Sequence, residues 1–351
     1  MKIALLISGG VDSSVALKLL KEAGHEVHAF YLKIWLEDEM QSLGSCPWEE
    51  DLNFVQEICT NEGVPLEIIP MQKEYYDEIV SYTINEVKQG RTPNPDVLCN
   101  NRIKFGLFLK KIEGRGFDRI ASGHYAQLTE IDGKFHLKKT PDPIKDQTYF
   151  LAHLSEKTLK NLLFSIGHLT KASVRDYAEK FNLPNKNRKD SQGICFLGKL
   201  KFKEFIEHYL GKNPGHIVEY ETNKVLSDHE GFWFYTIGQR KNIKLPDGPW
   251  FVVDKDPEKN IVYVSKSYHS EEKERNCFDV GKLNFFSGKV PEAKNLTVKL
   301  RHGEHEHKVI ELKQKESSLK IKIAENDQGI AAGQFAVFYK NDLCLGSGII
   351  K

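Results

Sequence analysis

KIALLISGGVDSS (Lys2–Ser14) decides how the rest of the chain is read. Ile3–Ile7 is an unbroken apolar run, the pattern of a strand buried on both faces of a parallel sheet. It is too short for a signal-peptide core and far below the ~18 residues that cross a bilayer. Gly9 and Gly10 then allow a tight backbone turn with no side chain in the way. The helix that follows, read as Ser14–Ala23 and stopped by Gly24, opens with amides lacking intrahelical partners, beside the hydroxyls of Ser8, Ser13 and Ser14. Strand, glycine turn and helix start together make a cradle for phosphate oxygens. No Gly-Lys-Ser/Thr closes it, so it is not a Walker loop.

Outward from that loop, strands and helices alternate. Glu26–Ile34, Leu66–Ile69 and Arg119–Ser122 read as strands; Asp51–Asn61, Tyr75–Lys88 and Ile103–Glu113 read as helices. This is an α/β pattern, a parallel sheet covered by helices, with ligands expected at the carboxyl ends of the strands. After Gly123 the pattern changes. Tyr125–Lys139 reads as a hairpin about Asp132-Gly133, followed by helices at Glu156–Leu163 and, capped by Thr170, at Ala172–Phe181. A polar, basic loop (182–198) leads to a helix at Phe202–Leu210. Strands then dominate: Gly231–Ile237, Trp250–Asp254 and Ile261–Val264, and short alternating segments over 277–351 that suggest a small β-barrel or sandwich. The expected domains are 1–210, with a helical extension over about 151–210, then a central β domain (211–272) and a C-terminal β-barrel (273–351).

The chain has 351 residues with 50 Lys+Arg against 49 Asp+Glu, a balance that hides an asymmetry. Residues 1–100 carry 7 basic and 17 acidic side chains, and residues 101–351 carry 43 and 32. Between Lys145 and Lys201 the count is 11 to 5, enough for a local field that attracts an anionic partner, although solvated helix faces account for it as well. The six cysteines stand 13, 40, 96, 82 and 67 positions apart with no CxxC pair. That spacing excludes a common zinc ribbon and gives no secreted disulfide framework, so a reducing cytoplasm is expected. Cys46, Cys59, Cys277 and Cys344 read as small buried apolar residues. Cys99, in TPNPDVLCNNRIKF (92–105), lies near an expected helix start with Arg102 and Lys104 beyond it, and Asp96 is three residues before. Cys195, in KDSQGICFLG (189–198), follows a glycine in a basic loop. For these two, reactive thiol and buried apolar residue are both open readings. His124, at an expected strand end, reads as a structural hydrogen-bonded histidine, and Lys145-Asp146-Gln147 as an exposed turn with a local ion pair. GEHEH (303–307) has a metal-like composition but reads as alternating histidines on one face of a solvated hairpin, and no metal ligands are assigned.

SGGVDSS resembles the pyrophosphate-binding loop of the N-type ATP pyrophosphatases. The whole chain resembles the bacterial tRNA-specific 2-thiouridylases through SGGVDSS, GRTPNPDVLCN, ASGHYA, KDQTYFL, RKDSQGICFLG, YTIGQRK, FVVDKD and GQFAVFY, which run in family order from near residue 1 to near residue 350. Two stretches depart from the family pattern: Asn242 stands where a glycine is usual, and Leu226–Gly231 lacks the usual Gly-Glu before histidine.

The resemblance implies an ATP-pyrophosphatase (adenine nucleotide alpha hydrolase-like) fold and ATP-dependent 2-thiolation of the wobble uridine in tRNAs for lysine, glutamate and glutamine. It implies that Leu6, Ile7, Ser8, Gly9, Gly10, Val11, Asp12 and Ser13 hold ATP, with Leu32 and Gly123 lining the adenosine pocket and Asp12 facing Mg²⁺ or a phosphate-bound water. Asn94, Pro95 and Asp96 would touch the target base. His124, Lys145, Asp146, Gln147, Arg301, His302 and Gln334 would contact the anticodon arm of the tRNA. Cys99 would be the nucleophile, with Asp96 as proton acceptor or donor, and Cys195 would carry a persulfide received from a cysteine desulfurase or sulfur-relay protein. An iron–sulfur cluster on Cys99, Cys195 and Asp96 is the alternative within the family reading, and an ammonia-using adenylating ligase is the alternative outside it. A monomer with no membrane association is expected.

Overall fold

The computed structural model describes residues 1–35, 48–190, 201–267 and 275–351, so Cys46 and Cys195 lie outside the described residues. Strands β1 (Lys2–Leu6), β2 (Glu26–Lys33), β3 (Leu66–Pro70) and β4 (Arg119–Ser122) are parallel; the hairpin β5 (Gln127–Ile131) and β6 (Lys134–Lys138) follows, and β7 (Leu162–Leu163) returns to the sheet edge. The sheet order is β3-β2-β1-β4-β7. β1 explains its own composition: Ala4 and Leu6 enter one core cluster, and Ile3, Leu5 and Ile7 enter another on the opposite face. The order turns around between β1 and β4, and the SGGVDSS loop emerges there.

Three local expectations are corrected. The helix expected from Ile103 begins eight residues earlier at Pro95, with the Asn94 side chain accepting from the Val97 amide at 3.2 Å. Asn at the cap followed by proline is a helix-start pair, because proline lacks the amide that the first turn leaves unpaired. The helix winds as π over Cys99–Leu107 and returns to α over Phe108–Ile112. Second, only Glu156–Leu159 of the expected Glu156–Leu163 is helical. Leu162 and Leu163 instead form β7, where Ile120 donates to the Asn161 carbonyl at 2.8 Å. Third, the aromatic run Phe232–Phe234 is a single 3-10 turn, not a strand, and its Trp233 packs against two core clusters at once.

The central sheet contains β8 (Gly215–Glu219), β9 (Val225–His229), β10 (Phe251–Asp256) and β11 (Ile261–Ser265) in the order β10-β11-β8-β9. Asn242 has φ 66°, a left-handed backbone that asparagine tolerates better than most residues. The C-terminal strands are β12 (Cys277–Phe285), β13 (Thr297–Lys299), β14 (His307–Lys315), β15 (Ser318–Ile323), β16 (Phe335–Lys340) and β17 (Leu343–Ile350). They pair in the order β12-β15-β14-β13-β16-β17, and β17 closes the ring on β12: a barrel, not a sandwich.

The barrel is also continuous with the first half of the chain. β17 pairs with β12 through Gly346–Ile350, but its first residues Leu343 and Cys344 pair with Lys138 and Leu137 of β6. Phe335, Val337, Tyr339 and Cys344 share a core cluster with Leu6, Cys99 and Phe105. The Tyr149 hydroxyl donates to the Phe335 carbonyl at 3.1 Å across this seam. Among the described residues no helix is long and apolar enough to cross a membrane.

Candidate active site

The loop is held open by its own backbone geometry. Gly9 has φ +74°, and a Cβ there would lie 2.6 Å from the Asp51 carbonyl oxygen. The Ser13 and Ser14 hydroxyls both donate to the Gly10 carbonyl at 3.0 Å, and the Ser8 amide donates to Ser13 Oγ at 3.2 Å. From far along the chain, Asn185 Nδ2 donates to the Gly9 carbonyl at 2.8 Å and to Ser14 Oγ at 2.9 Å, and Arg188 reaches the Gly9 carbonyl at 3.1 Å while pairing with Asp51. These braces fix the first turn of helix Val11–Glu22 with its amide end available for an anion.

Asp12 sits in that turn. Its Oδ1 accepts from Tyr125 Oη at 2.8 Å and from Lys171 Nζ at 2.7 Å, so among the described residues Oδ2 is the oxygen that could face a phosphate-bound cation or water. Lys171 also pairs with Asp190 at 2.7 Å; Lys145 and Arg175 meet the same carboxylate at 2.6 and 2.7 Å. The Asp142 carboxylate joins them, accepting from the Lys145 and Lys171 amides at 3.2 and 3.0 Å, so the three cations are interleaved with carboxylates beside the phosphate cradle. Burial pushes the Asp190 carboxyl up, but the hydrogen bonds from Lys145 and Lys171 outweigh it and hold the group down at about 2.

Leu6 and Ile7 are buried, in opposite core clusters. Leu32 packs at the end of β2 against the cluster that holds Leu6. Gly123, just past β4, lies so close to the loop that a Cβ would be 2.7 Å from the Ser13 amide nitrogen and 2.9 Å from the Asp12 carbonyl carbon. The next residue points the other way, toward the Cys99 helix. His124 Nδ1 meets Ser122 Oγ at 2.8 Å and its ring lies 5.8 Å from that of Phe105. Burial, with Lys104 adding to it, holds this imidazole well below its ordinary range, so it is neutral at pH 7.

Cys99 is one turn into its helix and buried at 1% exposure, not at the helix start, so the helix-end field that favours a thiolate reaches it weakened. The π-wound segment turns the next two side chains onto a neighbouring backbone: Asn100 donates to the Phe150 carbonyl at 3.2 Å and Asn101 to the His153 carbonyl at 2.6 Å. The barrel grips the approach to this helix, because Thr92 donates to the Ala332 carbonyl at 2.8 Å. Gln334 is two residues on, with Oε1 buried and unpartnered among the described residues. His302 stacks on Phe150 at 4.6 Å and its Nε2 meets the Asp146 carbonyl at 3.1 Å; burial lowers its pKa, with the Asp96 carboxylate among the groups acting on it.

Of the other expected contacts, Asp146 is buried and its carboxylate accepts from Thr148 at 2.7 Å with Lys299 at 3.5 Å, so its side chain braces the barrel. The Gln147 side-chain oxygen accepts from the Tyr125 amide at 2.9 Å. Arg301 pairs with Asp327 at 2.9 Å while its side chain stays half exposed. Lys171, Asp190, Asn185, Arg188 and Tyr125 escaped sequence reading. Charged runs flag Arg188 and Asp190 as unusual, but nothing in spacing links residues that stand 113 to 179 positions from their partners.

Comparison with known proteins bears on this arrangement. The chain is 49% identical over 361 residues to a tRNA-specific 2-thiouridylase of Parabacteroides distasonis, covering all of this chain and 99% of that one. The chain belongs to the tRNA-specific 2-thiouridylase family. Other members of the 2-thiouridylase family, from Porphyromonas gingivalis and Bacteroides thetaiotaomicron, are 44% and 42% identical, again over all of this chain and 99% of theirs. Family models described as a tRNA methyl transferase HUP domain, a tRNA methyl transferase PRC-barrel domain and an aminomethyltransferase beta-barrel domain match residues 1–199, 203–266 and 275–350. Those descriptions mention methyl transfer, whereas the end-to-end 2-thiouridylase relatives are named for thiolation. An NMN synthetase structure from Francisella tularensis matches at TM-score 0.35 and 15% identity over 60% of this chain and 77% of that one.

Asp190 stands five positions before Cys195 in the sequence, and its carboxylate is joined to the loop carboxylate Asp12 through Lys171. A carboxyl whose folded pKa is depressed contributes stability above its unfolded value, ~3.9, and that stability is lost as pH falls through about 2. Asp190→Asn is therefore expected to be less stable than wild type to denaturant at pH 7, with the difference closing between about pH 4 and pH 2. A denaturation series across that range checks it, and a gap that persists undiminished at pH 2 contradicts the assignment.

Proposed function

We infer that this chain is an ATP-dependent tRNA-uridine 2-sulfurtransferase acting on the wobble uridine of tRNAs for lysine, glutamate and glutamine. The observation that carries the reading is the carboxyl end of β4: Gly123 abuts the phosphate loop and His124 abuts the Cys99 helix, an arrangement that would let nucleotide and thiol serve one site. Uracil C2 is a poor electrophile with a poor leaving group. Adenylation of its oxygen, with loss of pyrophosphate, makes AMP the leaving group. The loop amides and Lys171 would hold the phosphates, and Mg²⁺ at Asp12 would supply charge neutralisation.

Sulfur then arrives covalently. The terminal sulfur of a Cys195 persulfide attacks C2 and displaces AMP. The Cys99 thiolate attacks Cys195 Sγ, the bond from Cys195 to the transferred sulfur breaks with its electron pair leaving on 2-thiouridine, and a Cys99–Cys195 disulfide remains for a thiol reductant to open. Holding the persulfide on the chain raises the effective concentration of sulfur at the base. The wobble base is single-stranded and can be splayed into the pocket at low cost. Asp96 and His124 would move or hold protons, and Asn94 and Pro95 would border the base. A cysteine desulfurase or relay protein would load Cys195 in the cytoplasm.

Reconstitution with ATP, Mg²⁺, a persulfide donor and individual tRNAs, read by mass spectrometry of nucleosides, tests the reading. 2-Thiouridine at the wobble position of those three tRNAs is expected. Pyrophosphate release that is independent of tRNA would favour a metabolite ligase instead.

A further inference from the structure

The barrel carries a second cluster of ligating side chains, away from the loop and the thiols. His305, His307 and Glu325 each offer one donor atom, and these atoms lie within 4.8 Å of one another. His305 Nε2 stands 3.7 Å from Glu325 Oε2, and the two imidazoles meet edge to face with centroids 4.3 Å apart. The sequence pattern alone suggests a solvated hairpin, yet the two histidines differ. His305 is exposed, whereas His307, at the start of β14, is 4% exposed.

His307 is the decisive group. Its Nε2 lies 2.7 Å from Asp327 Oδ2, and a carboxylate can only accept, so Nε2 carries the proton. Among the described residues Nδ1 is thereby left buried with no hydrogen-bond partner. Buried imidazole nitrogens are rarely left so, because the lost hydration goes uncompensated. Asp327 is itself fixed by Arg301 Nη1 at 2.9 Å and the Gly329 amide at 2.6 Å. A carboxylate bonded to one ring nitrogen, with the other left bare beside a second histidine and a glutamate, is the arrangement that orients a metal-bound histidine.

We propose that His305, His307 Nδ1 and Glu325 bind one zinc ion, or a transition metal of similar character, with water completing a tetrahedral shell. Two imidazoles and one carboxylate suit such an ion better than magnesium or calcium, which prefer all-oxygen shells. Ligands of a tetrahedral zinc stand about 3.3 Å apart. The two exposed side chains close the remaining gap by rotamer changes, while the buried histidine stays fixed. Through Asp327 the ion would also steady Arg301, a residue expected to contact tRNA.

The test is titration of the metal-free full chain with Zn²⁺ and, separately, Co²⁺, against His305→Ala, Glu325→Ala and the double variant. All retain the six cysteines, so metal bound by thiols cancels in the comparison, and both substituted residues are exposed, so folding is preserved. Wild type is expected to bind one more equivalent than the double variant, with visible Co²⁺ bands of a four-coordinate site that the double variant lacks. Each single substitution is expected to weaken that equivalent at least about tenfold. Equal stoichiometry and equal Co²⁺ spectra in wild type and double variant would overturn the proposal.

Discussion

Cys99→Ser is expected to lower 2-thiouridine formation at least about a thousandfold while the fold and tRNA binding persist. Serine is close to cysteine in size, and position 99 is buried at 1% exposure, so the packing around Leu98 and Ile103 is retained. What disappears is chemistry: a hydroxyl does not ionise near neutral pH and cannot form a disulfide, so the sulfur on C2 stays bonded to Cys195 and free 2-thiouridine is not formed. Cys195→Ser is expected to fail to the same degree for a different reason, because no persulfide forms. Single-turnover assays with a persulfide donor and nucleoside mass spectrometry measure both, with filter binding of tRNA as the control. Wild-type turnover by Cys195→Ser would sink the relay. Iron and labile sulfide found in equal amounts after anaerobic purification would instead favour the cluster version of this site.

Gly123→Ala is expected to reduce tRNA-dependent pyrophosphate release by about a hundredfold or more. A methyl group there would stand 2.7 Å from the Ser13 nitrogen and 2.9 Å from the Asp12 carbonyl carbon, and every atom it meets first is backbone. Backbone cannot swing aside as a side chain does. The first turn of helix Val11–Glu22 would have to shift, against the bonds from Asn185 to Gly9 and Ser14. Misplacing phosphate-binding amides by even ~1 Å costs about two orders of magnitude. Pyrophosphate release and thermal melting of the variant give the answer. A folded Gly123→Ala chain with unchanged release would show that the loop tolerates displacement and that its geometry does not govern adenylation.

Most of the parallel sheet was legible because its signals are local. An apolar run ended by Ser-Gly-Gly is a buried strand and a turn whatever surrounds it, and Thr170 caps its helix as its residue type suggests, accepting from Ser173 at 3.2 Å. The helix through Cys99 begins eight residues before the expected Ile103: Asn94-Pro95 states its start, but Asn100 and Asn101, weak helix formers, interrupt the helical pattern beyond it. Phe232–Phe234 departs from its expected strand for a tertiary reason. Aromatic residues favour strands only where a pleated, half-buried surface receives them, and here the chain turns so that the rings fill a junction between two cores.

By itself, the sequence determined the phosphate loop, the α/β alternation, the β-rich C-terminal half, and through its run of motifs the family. These depend on neighbours within a few residues, where periodicity and turn chemistry act. Tertiary structure alone decided that β6 joins β17, that Lys171 and Asp190 complete the loop, that Asp146 faces inward, and that His307 is buried with one nitrogen bare. Each of these joins residues far apart in the chain or depends on which face a strand turns to the core. Such contacts are chosen by the burial of whole surfaces, not by the residues that finally touch.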